Sequence, residues 1–127
     1  MRTSIVFFAF LMLLTGKNIF GQNPGLTVKI NKISNEFYSV NEQEKHLVSF
    51  EIAGIQSNKQ AENLLKSVRG YRGVEGFNLI QIGGTNNWQA TAVLYEYAKE
   101  EYFKYFFKFM KVTEVIVDNN KVLIDNM

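Results

Sequence analysis

From Leu47 onward the chain switches between two hydrophobic periods. "LVSFEIAGI" sets Val48, Phe50 and Ile52 against Ser49 and Glu51, the two-residue alternation of a half-buried strand. Ala61, Leu64, Leu65 and Val68 then fall at i, i+3, i+4 and i+7, with Lys59, Glu62, Asn63 and Lys66 on the opposite side. That is one apolar stripe at helical period, and Gly70 supplies its stop. "EGFNLIQI", from Glu75 to Ile82, and "WQATAVLYEY", from Trp88 to Tyr97, read as two strands joined by a turn of hairpin length, Gly83 to Asn87. Phe103, Phe106, Phe107 and Met110 repeat the helical stripe in a second helix from about Lys99 to Met110. "EVIVDNNKVLID" ends the pattern as two short runs around Asn119-Asn120, a tight hairpin.

The order strand, helix, strand, strand, helix, strand predicts an α+β fold. The expected form is a ferredoxin-like βαββαβ two-layer sandwich with an extra C-terminal strand or hairpin, occupying residues 47–127. Ahead of it, residues 22–46 carry a weaker pattern. Leu26, Val28 and Ile30 alternate as in a short strand, while "SNEFYSVNEQEKH" is polar, so this stretch reads as an N-terminal extension or linker anchored by aromatic side chains.

The first residues change the charge argument. Arg2 is followed by the apolar run Ile5 to Leu14, too short to span a bilayer and suited to a secretory signal peptide over residues 1–21, with cleavage between Gly21 and Gln22. The whole chain has 14 Lys and Arg against 12 Asp and Glu. Arg2 and Lys17 lie in the leader, so its removal leaves acids and bases in equal number. The mature chain therefore lacks the basic excess of a nucleic-acid binder, and no membrane contact is expected after cleavage. Cysteine is absent, so an exported domain of this size is held by its core and not by disulfides. The expected location is periplasmic or secreted.

With these elements in place the chain resembles the heavy-metal-associated domain family over roughly Leu47 to Val117. Gly54-Ile55 stands where that family has Gly-Met at the end of its first strand, and Gly73-Val74 stands where its later Gly-Val pair falls. The family's two metal-binding cysteines correspond to Ser57 and Gln60. The resemblance implies the ferredoxin-like fold. It does not bring the family's metal-carrier activity, because a hydroxyl and an amide offer little to a soft metal that wants thiolates. Ser57-Asn58-Lys59-Gln60 is instead S-x-x-Q, a capping box in which Ser57 caps an early helix amide and Gln60 reaches back to the Ser57 amide.

Other chemistry is thin. His46, Met110 and Met127 are the remaining soft or borderline ligands, too few for a zinc site, and His46 reads as a solvated residue at the start of a strand. Asp118, Asn119, Asn120 and Asp125 cluster near the terminal hairpin, where turn chemistry accounts for them more simply than a calcium ion. There is no cysteine nucleophile, no G-x-S-x-G elbow and no P-loop, so no enzyme, no cofactor and no metal is expected.

The second helix carries more apolar surface than one sheet needs. Beside its core stripe, Tyr102, Tyr105 and Phe109 form a second line. Two readings follow. These rings pack under the N-terminal segment at Phe37 and Tyr38, or they are exposed and offer helix 99–110 to a protein partner or a second copy. The leading expectation is an exported bacterial, non-catalytic binding or interaction module. The alternative is heavy-metal handling with ligands lent by a partner, and the third is a small-molecule-binding domain or an enzyme.

Overall fold

The computed structural model describes residues 25–127. The leader expected at residues 1–21 and its cleavage point lie outside the described residues. The chain is a mixed α+β fold in which two helices share one core with a seven-stranded sheet.

The elements run β1 (Leu26–Ile30), β2 (Ser39–Val40), β3 (His46–Ala53), α1 (Asn58–Arg69), β4 (Val74–Gln81), β5 (Asn87–Leu94), α2 (Glu100–Phe109), β6 (Val112–Val117) and β7 (Asn120–Leu123), ending in a 3-10 turn at Ile124–Asn126. Across the sheet the order is β4, β5, β3, β1, β6, β7, with β2 paired to the start of β3. All pairs are antiparallel except β1 with β6.

This order departs from the expected plan at one place. The split βαββαβ arrangement sets its first and last strands side by side, here β3 and β6. In this sheet β1 lies between them, antiparallel to β3 through Val28↔Ile52 and parallel to β6 through Val28↔Val115. The stretch expected to be a linker thus holds an interior strand of the sheet. The physical reason is burial. Leu26, Val28 and Ile30 all lie in the core, and a strand buried on one face and hydrogen-bonded along both edges satisfies every backbone group.

The core collects the inward rows of the strands and the stripes of both helices. Phe103, Phe106 and Phe107 of α2 are fully enclosed. The Phe50 ring meets Phe106 at 6.4 Å and 90° and Phe107 at 5.4 Å and 78°, edge-to-face contacts that add about 0.5–1.5 kcal/mol each beyond area burial. From α1, Ala61 and Val68 are buried, with Leu64 and Leu65 packed at the margin. The opposite sheet face is mixed and wet. One row across it reads Ile80, Gln89, Glu51, Lys29, Ile116, Lys121.

Two local details differ from the sequence expectation. The terminal hairpin turns at Asp118-Asn119, one residue earlier than expected, and both residues take positive φ, 50° and 70°, as a two-residue turn matched to strand twist requires. The strand ending expected at Tyr97 stops at Leu94. Ala98 N–H donates to Tyr95 O, and Tyr95, Glu96 and Tyr97 turn out of the sheet. At the outer edge, Arg69 reaches from the end of α1 to cover β4: Nε donates to Phe77 O at 3.0 Å and Nη2 to Asn78 Oδ1 at 3.1 Å.

Deleting Leu26–Ile30 is expected to abolish the cooperative urea transition followed by circular dichroism. An unchanged midpoint would show that the sheet closes without β1.

Candidate functional site

The loop from Gly54 to Gln60 is built around helix capping. Gly54 has φ +108°, a conformation that glycine adopts without strain, and it turns the chain out of β3 so that Ile55 drops into the core. Ser57 is extended, at φ −157° and ψ 163°, and its Oγ accepts from Gln60 N–H at 3.1 Å. Gln60 Oε1 accepts from the amide of Gln56 at 2.7 Å, one residue before the Ser57 amide that the capping box predicts. The side-chain oxygens of Ser57 and Gln60 are therefore both engaged by backbone amides.

The second helix settles the question of its extra aromatic line residue by residue. Tyr102 is 8% exposed and points inward, so it does not contribute to an open surface. Its hydroxyl donates to Arg72 O at 2.7 Å, and its ring lies over Gly73, where a Cβ would come within 2.8 Å of it. Gly73 also has φ +87°, so both backbone and space demand glycine there. Burial pushes the Tyr102 phenol well above its ordinary range, reinforced by Tyr71 and Tyr97 and opposed by Arg72, so it serves as a fixed donor.

Tyr105 and Phe109 are 49% and 40% exposed. Tyr105 shares the wall of an open hollow with Lys32 and Phe37 of the N-terminal segment. Phe37 and Tyr38 reach Phe103, at 5.3 and 6.1 Å. Phe109 lies against Tyr71, from the loop after α1, at 4.4 Å between ring centres. The rings continue from Tyr71 to Tyr102 at 6.1 Å, from Tyr102 to Tyr97 at 6.3 Å, and from Tyr97 to Tyr95 at 6.4 Å. With Tyr105, which lines one hollow together with Tyr97 and Tyr102, these side chains form an aromatic ridge anchored at its middle by the buried Tyr102. Its Tyr95 and Tyr97 end escaped the sequence reading because alternation continued the strand through a turn. The signal was the i, i+2 spacing of two tyrosines just after the last buried residue of β5, Leu94.

His46 also differs from expectation. It is 5% exposed, stacked face to face on Tyr38 at 3.8 Å, and its Nδ1 donates to Ala98 O at 2.6 Å. Its surroundings come from the turn after β5 and from the segment before β2, neither of which adjoins it in sequence. The terminal acidic residues separate. Asp118 Oδ1 accepts from the Lys32 amide at 2.9 Å, while Asp125 pairs with Lys108 at 2.8 Å. Among the described residues, no three of His, Cys, Asp and Glu come together as a metal-binding group.

Ser57→Ala is expected to lower unfolding free energy by about 1 kcal/mol through loss of the cap. Tyr102→Phe should cost a similar amount, about 1 kcal/mol, for one hydrogen bond. Gly73→Ala should cost more, about 2–3 kcal/mol, because strain and clash combine. Urea titrations of the three variants check the ranking. No family model, curated protein or solved structure matches this chain.

Proposed function

We propose that the chain is an exported, non-catalytic binding module of the bacterial envelope, recognising a protein through the aromatic ridge. The observation that carries this reading is the exposure of Tyr105 and Phe109 on a helix whose opposite face is locked by Phe103, Phe106 and Phe107. Large rings held in place lose little side-chain entropy on binding, and aromatic residues are the ones enriched where proteins meet. Arg72, Lys99 and Glu101 line the shallow hollow between Tyr97 and Tyr105, giving the apolar strip a charged rim. That is the anatomy of an interface with an apolar centre and a polar margin.

The finer fold assignment belongs with this proposal. A ferredoxin-like plan with β1 inserted between its first and last strands accounts for the order β4, β5, β3, then β6. The positive φ at Gly54 and Gly73, the two glycines of the family resemblance, supports the same ancestry. In this reading the loop that carries metal in the heavy-metal-associated family has become a helix start, and binding has moved to the second helix.

Replacing Tyr105 and Phe109 together by alanine tests the function. Sedimentation velocity, with cross-linking in the host's envelope fraction, should show association at least about tenfold weaker, as expected for truncating interface anchors. The thermal transition should persist. Lost folding stability with unchanged association would sink the idea.

A further inference from the structure

Beyond Tyr97 the molecule has a second feature, separate from Tyr105 and Phe109. A hollow of about 630 Å³ opens between the start of β3 and the start of α2, lined by Val40, Glu44, His46, Glu96, Tyr97 and Lys99. His46 is its one buried polar side chain. Ala98 O only accepts, so Nδ1 of His46 carries the hydrogen between them, and in the neutral ring Nε2 is an acceptor. Nε2 has no hydrogen-bond partner among the described residues. A buried polar atom without a partner is costly and calls for one.

The rest of the lining says what kind of partner. Glu44, Glu96 and Lys99 have no ion-pair partner among the described residues, whereas Lys45 next door is held by Glu75 at 3.0 Å. A cationic ligand meets Lys99, and an anionic one meets two carboxylates. A neutral ligand bearing several hydroxyls answers every group. It donates to Nε2 and the carboxylates, accepts from Lys99, and lays a C–H face on the Tyr97 ring, which is 55% exposed. Tyr95 lies beside Tyr97 with ring planes only 14° apart. A second hollow of about 380 Å³, lined by Gln43 and Lys45, shares Glu44, Glu96 and Tyr97 with the first. Two adjoining hollows with a common wall suit a ligand of more than one ring.

We infer that the two hollows around Tyr97 form a binding site for a neutral oligosaccharide, with the buried His46 in the wall of the larger one. The site shares Tyr97 with the end of the aromatic ridge, and variants at Tyr105 and Phe109, which line neither hollow, test it apart from the protein-binding role.

The test is a titration of the isotopically labelled protein, followed by amide shifts, with four neutral tetrasaccharides: β-1,4-glucan, α-1,4-glucan, β-1,4-mannan and β-1,4-linked N-acetylglucosamine. At least one should shift the amides of Glu44, His46, Glu96, Tyr97 and Lys99. Glu96→Ala, a change at an exposed position, should weaken that ligand at least about tenfold, the effect of losing a hydrogen bond to a charged group. Tyr97→Ala should do the same, while the Tyr105→Ala, Phe109→Ala double variant should bind the sugar normally. The inference fails if none of the four shifts these amides at roughly 10 mM, where even millimolar binding is near saturation. It also fails if cadaverine, a diamine, shifts them and the sugars do not, because the site is then one for cations.

Discussion

The placement of β1 is the constraint on which the other features depend. With β3 on one side and β6 on the other, its five residues join the two parts of the sheet into one surface. Without it, β3 and β6 would each present a row of unpaired amides and carbonyls to the other across a gap one strand wide. Its three inward side chains each contribute roughly 1.5–3 kcal/mol of gross burial, and they do so beside Ile52 and Val115 in the middle of the core. The strands that β1 joins also lie under the aromatic stripe of α2, through Phe50 of β3 and through β6. A stripe of three fully enclosed phenylalanines fixes the helix so firmly that its outer rings are held at set positions on the surface.

The ridge and the hollow are two outcomes of one local event, the turn of the chain out of β5 at Tyr95. That turn throws two tyrosines outward, delivers the Ala98 carbonyl to His46, and sets the start of α2. Tyr97 stands between the two features, with one neighbour in Tyr102 of the ridge and a place in the wall of the hollow. A single short segment therefore positions aromatic surface on one side and polar chemistry on the other.

Much of this fold was legible in the residues, and the boundary of legibility follows physical lines. Both helices and the strands from β3 onward announced themselves, because their hydrophobic period is a local property and their faces are cleanly divided. The Ser57 cap was equally local. Its partner glutamine engaged Gln56 instead of Ser57, a shift of one amide that spacing does not resolve. The alternation of Leu26, Val28 and Ile30 marked a strand, but nothing within five residues specifies which neighbours it takes, so its interior place was invisible. The candidate site was legible only in part. Tyr105 and Phe109 followed from an apolar arc wider than one sheet can cover. Tyr102 sat on the same arc, yet the space above Gly73 drew it inward, and that space is made by a different loop. His46 was read as solvated because groups that cover it, the Tyr38 ring and the Ala98 carbonyl, come from segments its local sequence does not specify.

The one parallel pair in the sheet has a kinetic consequence. β1 is among the first parts of the described chain to be synthesised and β6 among the last, and the hydrogen bond from Lys32 to Asp118 spans 86 positions. Contacts of such long range are slow to form, since the loop between them must close before they are rewarded. The edge of β1 that takes β6 therefore stays open until that strand has been made, whereas the pairings of β1 with β3, β3 with β5 and β4 with β5 need only earlier residues. The sheet is thus built in two stages, with its parallel seam closed last.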